Sequence, residues 1–115
     1  MQHIKWSEIP AERLNHQFVR KIAWDGKLMI ALTEVDTGYV VPLHQHDNQQ
    51  ITWVMSGKWR FTLEGTTVEV GPGEMISIPA NVAHTATALE KLVAYDIFTP
   101  PREDWLSGAD AYLRK

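Results

Sequence analysis

Residues Gly38–Gly57 read GYVVPLHQHDNQQITWVMSG, and this stretch decides the fold. His44, His46 and Gln50 fall within seven residues, with a glycine on either side of the group. The local signals are strand, turn, strand. Side chains of an extended chain alternate between faces, so His44 and His46 point the same way. Beyond the Asp47–Asn48 turn, Gln50, Thr52 and Val54 share a face and line a cavity from the second arm. A fourth candidate, His84, ends GEMISIPANVAH (residues 73–84), after a strand, a stop at Pro79 and a turn. A lone His-x-His is more often a surface pair than a pair of ligands. With His84 delivered by a returning strand, the reading shifts to a divalent metal site on His44, His46, Gln50 and His84.

Outward from this stretch, short strands recur about every ten residues between glycine and proline turns. The expected strands are 18–24, 27–35, 39–43, 50–55, 58–63, 66–70, 75–78, 84–88 and 91–98. Asp25–Gly26, Glu64–Gly65 and Gly71-Pro72-Gly73 are turn signals. Ser56–Gly57 reads as a tight hairpin turn, and the last two strands read as broken at Glu90. Pro42 denies a ladder hydrogen bond, which suits an edge or a bulge. Met1 to Asn15 reads as mostly irregular. Pro100–Pro101 halts the sheet, and Pro101 opens a short helical tail. No internal segment has room for the crossover helix of a parallel βαβ unit. The pattern predicts an all-β chain, one domain over 1–115, built as an antiparallel sandwich or barrel.

Composition narrows the chemistry. The 115 residues include no cysteine, which excludes disulfides, thiolate-held clusters and a thiol nucleophile. Net charge is −3, from 11 basic and 14 acidic residues mixed along the chain, so nucleic acid is not expected as a partner. The opening residues carry no export signal and no apolar run reaches membrane-helix length. The expectation is a cytoplasmic chain with no membrane association. Apolar residues on both faces of several strands predict a homodimer covering one of them. Trp24, Trp53 and Trp59 read as core or dimer packing rather than sugar stacking.

The spacing Gly38, His44-x-His46, Gln50, Gly57 resembles the first cupin motif, with Gln50 where a ligand glutamate is usual. Gly73, Pro79 and His84 resemble the second, with Asn81 where glycine is common and Ala88 where asparagine is common. The resemblance implies a one-barrel jelly roll of two Greek keys. A closer one lies in HxHxxxQIT together with DIFTPPREDWL (residues 96–106), which is similar to the small pectin degradation proteins. Members of that family promote ring opening and ketonisation of 4,5-unsaturated monouronates. By that resemblance His44, His46, Gln50 and His84 are ligands, Asp96 and Arg102 the catalytic or substrate-contacting pair, and Phe98 lies against the substrate.

The residue types suit this chemistry on their own. Imidazole nitrogen and amide oxygen accept zinc, nickel, manganese or iron. Three imidazoles and an amide leave the ion's charge uncompensated, which favours a small anionic partner such as a uronate. Asp96 interrupts the apolar run LVAYDIF and shares a face with Leu92, Ala94 and Phe98, a costly place for a carboxylate unless it is paired or functional. The plain alternative is a strand-end cap or ion pair. Arg102 suits a carboxylate by its forked donors. Its plain alternative is a surface pair with Glu103 or Asp104. Rival functions on the same scaffold are a dioxygenase, another isomerase or a cyclase, or a non-enzymatic module that binds a sugar or acid.

Overall fold

In the computed structural model, which describes residues 1–115, eight strands follow one another. They are Glu12–Asn15 (β1), Phe18–Asp25 (β2), Leu28–Val35 (β3), Val40–His44 (β4), Gln49–Leu63 (β5), Thr66–Val70 (β6), Met75–Ile78 (β7) and His84–Thr99 (β8). A 3₁₀ turn at Trp6–Glu8 precedes them. Two short helices, Glu103–Ser107 (α1) and Ala111–Arg114 (α2), close the chain. No helix is long and apolar enough to cross a membrane.

The long strands β5 and β8 pair antiparallel along nearly their whole length, but their two halves have different outer neighbours. The first half of β5 takes β7 on its far side, and the second half of β8 takes β3, followed by β2 and β1. The second half of β5 takes β6, and the first half of β8 takes β4. Two sheets, β1-β2-β3-β8-β5-β7 and β4-β8-β5-β6, therefore share two bent strands. Their inner faces close over one core that includes Met29, Ala31, Val54, Trp59, Phe61, Leu92, Ala94 and Phe98. This is the expected all-β jelly-roll barrel with a short helical tail.

Two expected boundaries are absent. Ser56–Gly57 is not a hairpin turn, because β5 runs on through it, and β8 likewise continues through Glu90, whose register partner is Lys58. The glycine that suggested a turn serves a bulge instead. Register slips between Val54 and Trp59, and there both long strands pass from one sheet to the other. Gly57 has φ 78°, and a Cβ placed on it would lie 2.1 Å from the Lys91 carbonyl oxygen and 2.6 Å from Leu92 Cα. Backbone meets backbone at the bend, so only glycine fits. A third difference is β1, where irregular chain was expected. Only Leu14 of its four residues is buried, so its pairing with β2 leaves little apolar alternation to read.

The helical tail is fastened to the barrel by charge. Arg20, on β2 and fully buried, gives Nε–H to Glu12 at 2.8 Å and Nη2–H to Asp110 at 2.6 Å. Arg114 closes the ring onto Asp110 and Glu12, both at 2.8 Å. Burial alone would raise the carboxyls of Asp110 and Glu12, but hydrogen bonds from the two arginines hold both below their ordinary values. The Arg20 guanidinium also lies 4.4 Å from the centre of the Trp105 ring in α1. Such a network adds little net stability over an apolar core, but removing one member leaves a buried charge unpaired. Its structural effect is to set the tail across one end of the barrel.

The bend yields a direct expectation. Gly57→Ala combines positive φ with backbone overlap and should cost about 3 kcal/mol or more. Gly26→Ala, also at positive φ but with open space around its Cβ, should cost only about 1 kcal/mol. Chemical denaturation of both variants checks this; equal losses would contradict the role given to the bend.

Candidate metal centre

Strand alternation and register build the site. His44 at the end of β4 sits directly opposite His84 at the start of β8. Across β5 and β8, Gln50 faces Phe98 and Thr52 faces Asp96. All four of these side chains are buried. His46 lies just beyond β4, in the loop that returns to β5. That loop is held by the turn before β8, where the Asn81 N–H donates to the His46 carbonyl at 2.7 Å. Asn81 has φ 65°, a left-handed conformation that asparagine tolerates. Glycine is common here in the resembled motif, and the backbone is of the kind that favours it.

The potential ligand atoms of His44, His46 and His84 lie within 4.8 Å of one another. Gln50 Oε1 is 3.1 Å from His46 Nε2. All four sequence-predicted ligands therefore come together. Nitrogens bound to one tetrahedral zinc ion at about 2.1 Å lie about 3.4 Å apart, so side-chain shifts of about an ångström or less bring the imidazoles to bonding range.

Each imidazole is also oriented from behind. Nδ1 lies 2.8 Å from the Pro42 carbonyl in His44, 3.0 Å from Asn48 in His46, and 2.9 Å from Val82 in His84. A carbonyl only accepts, so Nδ1 carries the proton and Nε2 keeps its lone pair for a cation. Burial lowers all three imidazole pKa values, and the Arg102 charge lowers them further. His44 and His46 fall to about 4, so both are neutral at pH 7 and available as ligands. The donor set fits a borderline first-row divalent cation.

The imidazoles of His44 and His84, with Gln50, Asp96, Phe98, Arg102 and Tyr112, line one cavity that opens to solvent. Asp96 is held by one oxygen: Oδ1 accepts from Thr52 Oγ1 at 2.6 Å, and Oδ2 has no protein partner. Burial pushes its carboxyl up to about 6, against the lowering effects of Thr52 and Arg102. The strand-end cap is therefore not its role, since it sits in mid-strand facing inward. Arg102 is buried and its guanidinium is 5.1 Å from the centre of the Phe98 ring. The pairing of its plain alternative is present, though buried rather than on the surface: Nε and Nη2 donate to Asp104 at 2.9 and 2.7 Å, and Nη2 also to the Tyr112 hydroxyl. Nη1 makes no protein hydrogen bond, so two donors stay available beside the cavity.

Sequence reasoning missed Tyr112 and Trp105, which also border the cavity. Both lie in helices of four and five residues, too short for any periodicity to show. Asn48 was read only as a turn residue; it is buried and donates to the Pro100 carbonyl at 2.6 Å, tying the His46 loop to the tail. Of the three tryptophans assigned to packing, Trp59 is in the core, while Trp53 and Trp24 are 39% and 50% exposed.

Comparison with known proteins places the fold. The chain is 32% identical to KdgF from Halomonas sp., with a TM-score of 0.79 over 86% of this chain and 93% of that one. A cupin of the RmlC-like type from Shewanella frigidimarina superposes with a TM-score of 0.83 at 22% identity, covering 91% and 96% of the two chains, which speaks for the fold alone. Acireductone dioxygenase of Bacillus subtilis is 33% identical over 70 residues, 55% of this chain. The match spans only 39% of that enzyme's length. The model of the cupin domain family matches residues 31–98, a span that holds all three histidines, Gln50, Asp96 and Phe98. The chain belongs to the cupin domain family.

Proposed function

We propose that the protein is a metal-dependent enzyme that opens and ketonises 4,5-unsaturated monouronates or a related small carboxylated sugar. The observation that carries this reading is a buried carboxylate with one free oxygen, Asp96, on the same cavity as the imidazoles of His44 and His84 and a partly free arginine, with His46 beside them. The likeness to KdgF supports it, as does the DIFTPPRED pattern. His44, His46, Gln50 and His84 would hold one divalent cation, zinc, nickel, manganese or iron. That ion would polarise substrate oxygens and stabilise the negative charge that develops as the ring opens.

Arg102 receives the uronate carboxylate on Nη1, with Asp104 and Tyr112 fixing the rest of the guanidinium. Phe98 and Tyr112 flank the sugar. Asp96 Oδ2 takes the proton of the anomeric hydroxyl. The anomeric carbonyl forms as the bond to the ring oxygen breaks, and that oxygen keeps the electron pair as an enolate conjugated to the former ring double bond. Asp96 then returns the proton to the far carbon of that double bond, leaving a linear keto acid. No oxidant or second substrate is needed. A carboxyl with pKa about 6 suits both transfers near neutral pH.

The match to acireductone dioxygenase favours one second reading, a metal-dependent dioxygenase on the same ligands. Loss of double-bond absorbance from unsaturated galacturonate or mannuronate, without oxygen uptake and abolished by EDTA, supports the uronate reading. Oxygen consumption on an enediol substrate would replace it.

Asp96→Asn should lower turnover about 10²–10⁴-fold when assayed at saturating metal. The same variant should be more stable than the parent when free of metal. Between the ordinary carboxyl pKa and about 6 the unfolded chain loses a proton that the native protein retains. Stability is therefore lost as pH rises through that window, by about 3 kcal/mol in all. Thermal melts should show the variant ahead at pH 7.5 and level at pH 4; equal melts at both would contradict the buried carboxylate.

A homodimer is proposed as well. Leu32, Tyr95, Trp53 and Met75 form one row across β3, β8, β5 and β7 on the outer sheet face, with Met75 63% exposed. A second copy set against this row buries it symmetrically. Met75→Glu should convert dimer to monomer in sedimentation; a parent that sediments as a monomer would remove this partner.

A further inference from the structure

Thr52 has no exposed surface and stands directly opposite Asp96 in the ladder. A hydroxyl has one proton to donate. Thr52 gives it to Asp96 Oδ1 at 2.6 Å, since an ionised carboxylate only accepts. Toward Gln50 the same oxygen can then only accept, so the Gln50 atom 2.9 Å away is the amide nitrogen. The amide oxygen is thereby turned to the other side, where His46 Nε2 lies 3.1 Å off. His46 has its proton on Nδ1, facing the Asn48 carbonyl. Two lone pairs thus face each other across 3.1 Å, an arrangement that repels unless a cation lies against both.

We propose that Thr52 is the positioning residue that makes Gln50 a metal ligand, fixing the amide so that its oxygen rather than its nitrogen meets the imidazoles. The need is specific to glutamine. A glutamate presents an oxygen whichever way it is turned, whereas a glutamine turned the wrong way presents two N–H groups and repels the ion. In a chain with Gln50 at the usual glutamate position, the partner that breaks this symmetry is part of the metal site. The inference rests on reading His44, His46, Gln50 and His84 as a metal centre, and it also links that centre to Asp96 through one hydroxyl.

The test is zinc affinity of the metal-free protein, measured by competition with a chromophoric chelator, in a Gln50 and a Gln50→Glu background. Thr52→Val should weaken zinc binding about 10–100-fold with Gln50 present, and Thr52→Ser should restore it to within about 3-fold. With Gln50→Glu, Thr52→Val should change affinity by less than about 3-fold, so the double-mutant cycle shows strong coupling. Melts of the metal-free proteins report folding; if Thr52→Val does not fold, Thr52→Ala carries the same expectation. Zinc affinity unchanged by Thr52→Val would overturn the role. So would a Thr52→Ser as weak as Thr52→Val, which shows that the hydroxyl alone does not carry the effect, or equal losses in both backgrounds, which point to general distortion. A parent that binds no zinc, nickel, manganese or iron would overturn the metal centre itself; a parent that binds with Thr52 indifferent removes the positioning role alone.

Discussion

The register between β5 and β8 is the constraint on which the rest depends. Those two strands alone belong to both sheets, and their pairing puts Gln50 beside Phe98 and Thr52 beside Asp96 on the inner face. A slip of one residue would turn this whole set outward and bring Ile51, Trp53 and Tyr95 in. The bend at Gly57 shifts the register and changes the direction of both strands, so that His84, at the far end of β8, reaches His44. Site and core are thus products of one pairing. The same ladder that seats Ala94 and Val54 in the apolar centre seats a carboxylate two residues further along.

Charge decides what such a site accepts. The imidazoles are neutral and the fourth donor is an amide, so a bound divalent ion keeps its full charge. Arg102 adds a positive charge, matched by Asp104 in direct contact, and Asp96 supplies one negative charge when ionised. One positive charge remains, which suits a substrate with a single carboxylate. A glutamate in place of Gln50 would cancel it. In the proposed metal centre the glutamine would trade affinity for the cation against attraction for an anion, with the buried chain Gln50–Thr52–Asp96 fixing the amide.

Much of this was legible in the sequence because it depends on local rules. Period-two alternation placed Gln50, Thr52 and Val54 together, and Asp96 with Leu92, Ala94 and Phe98. Motif spacing brought His84 to His44 and His46. The unread parts depend on long-range contact. Glycine at positive φ marks a bulge as readily as a turn, and only the clash with the Lys91 and Leu92 backbone separates the two at Gly57. Arg20 shares a strand face with Phe18, which hints at a buried charge, but its partner Asp110 lies in a tail with no readable period. Tyr112 reaches the cavity by the same unreadable route. Arg102 keeps the pairing with Asp104 that its sequence neighbourhood offered, but buried, and that pairing holds the guanidinium at the cavity with Nη1 left over.

The proposed chemistry requires a divalent ion held among three imidazoles and one amide oxygen inside the barrel. Anomalous diffraction from crystals of the metal-loaded protein, collected at the absorption edge of the ion, tests this most directly. One strong peak per chain is predicted, bounded by His44, His46 and His84 nitrogens and Gln50 Oε1. A peak elsewhere, such as beside Asp47 and Glu103, or none despite full loading, would contradict it.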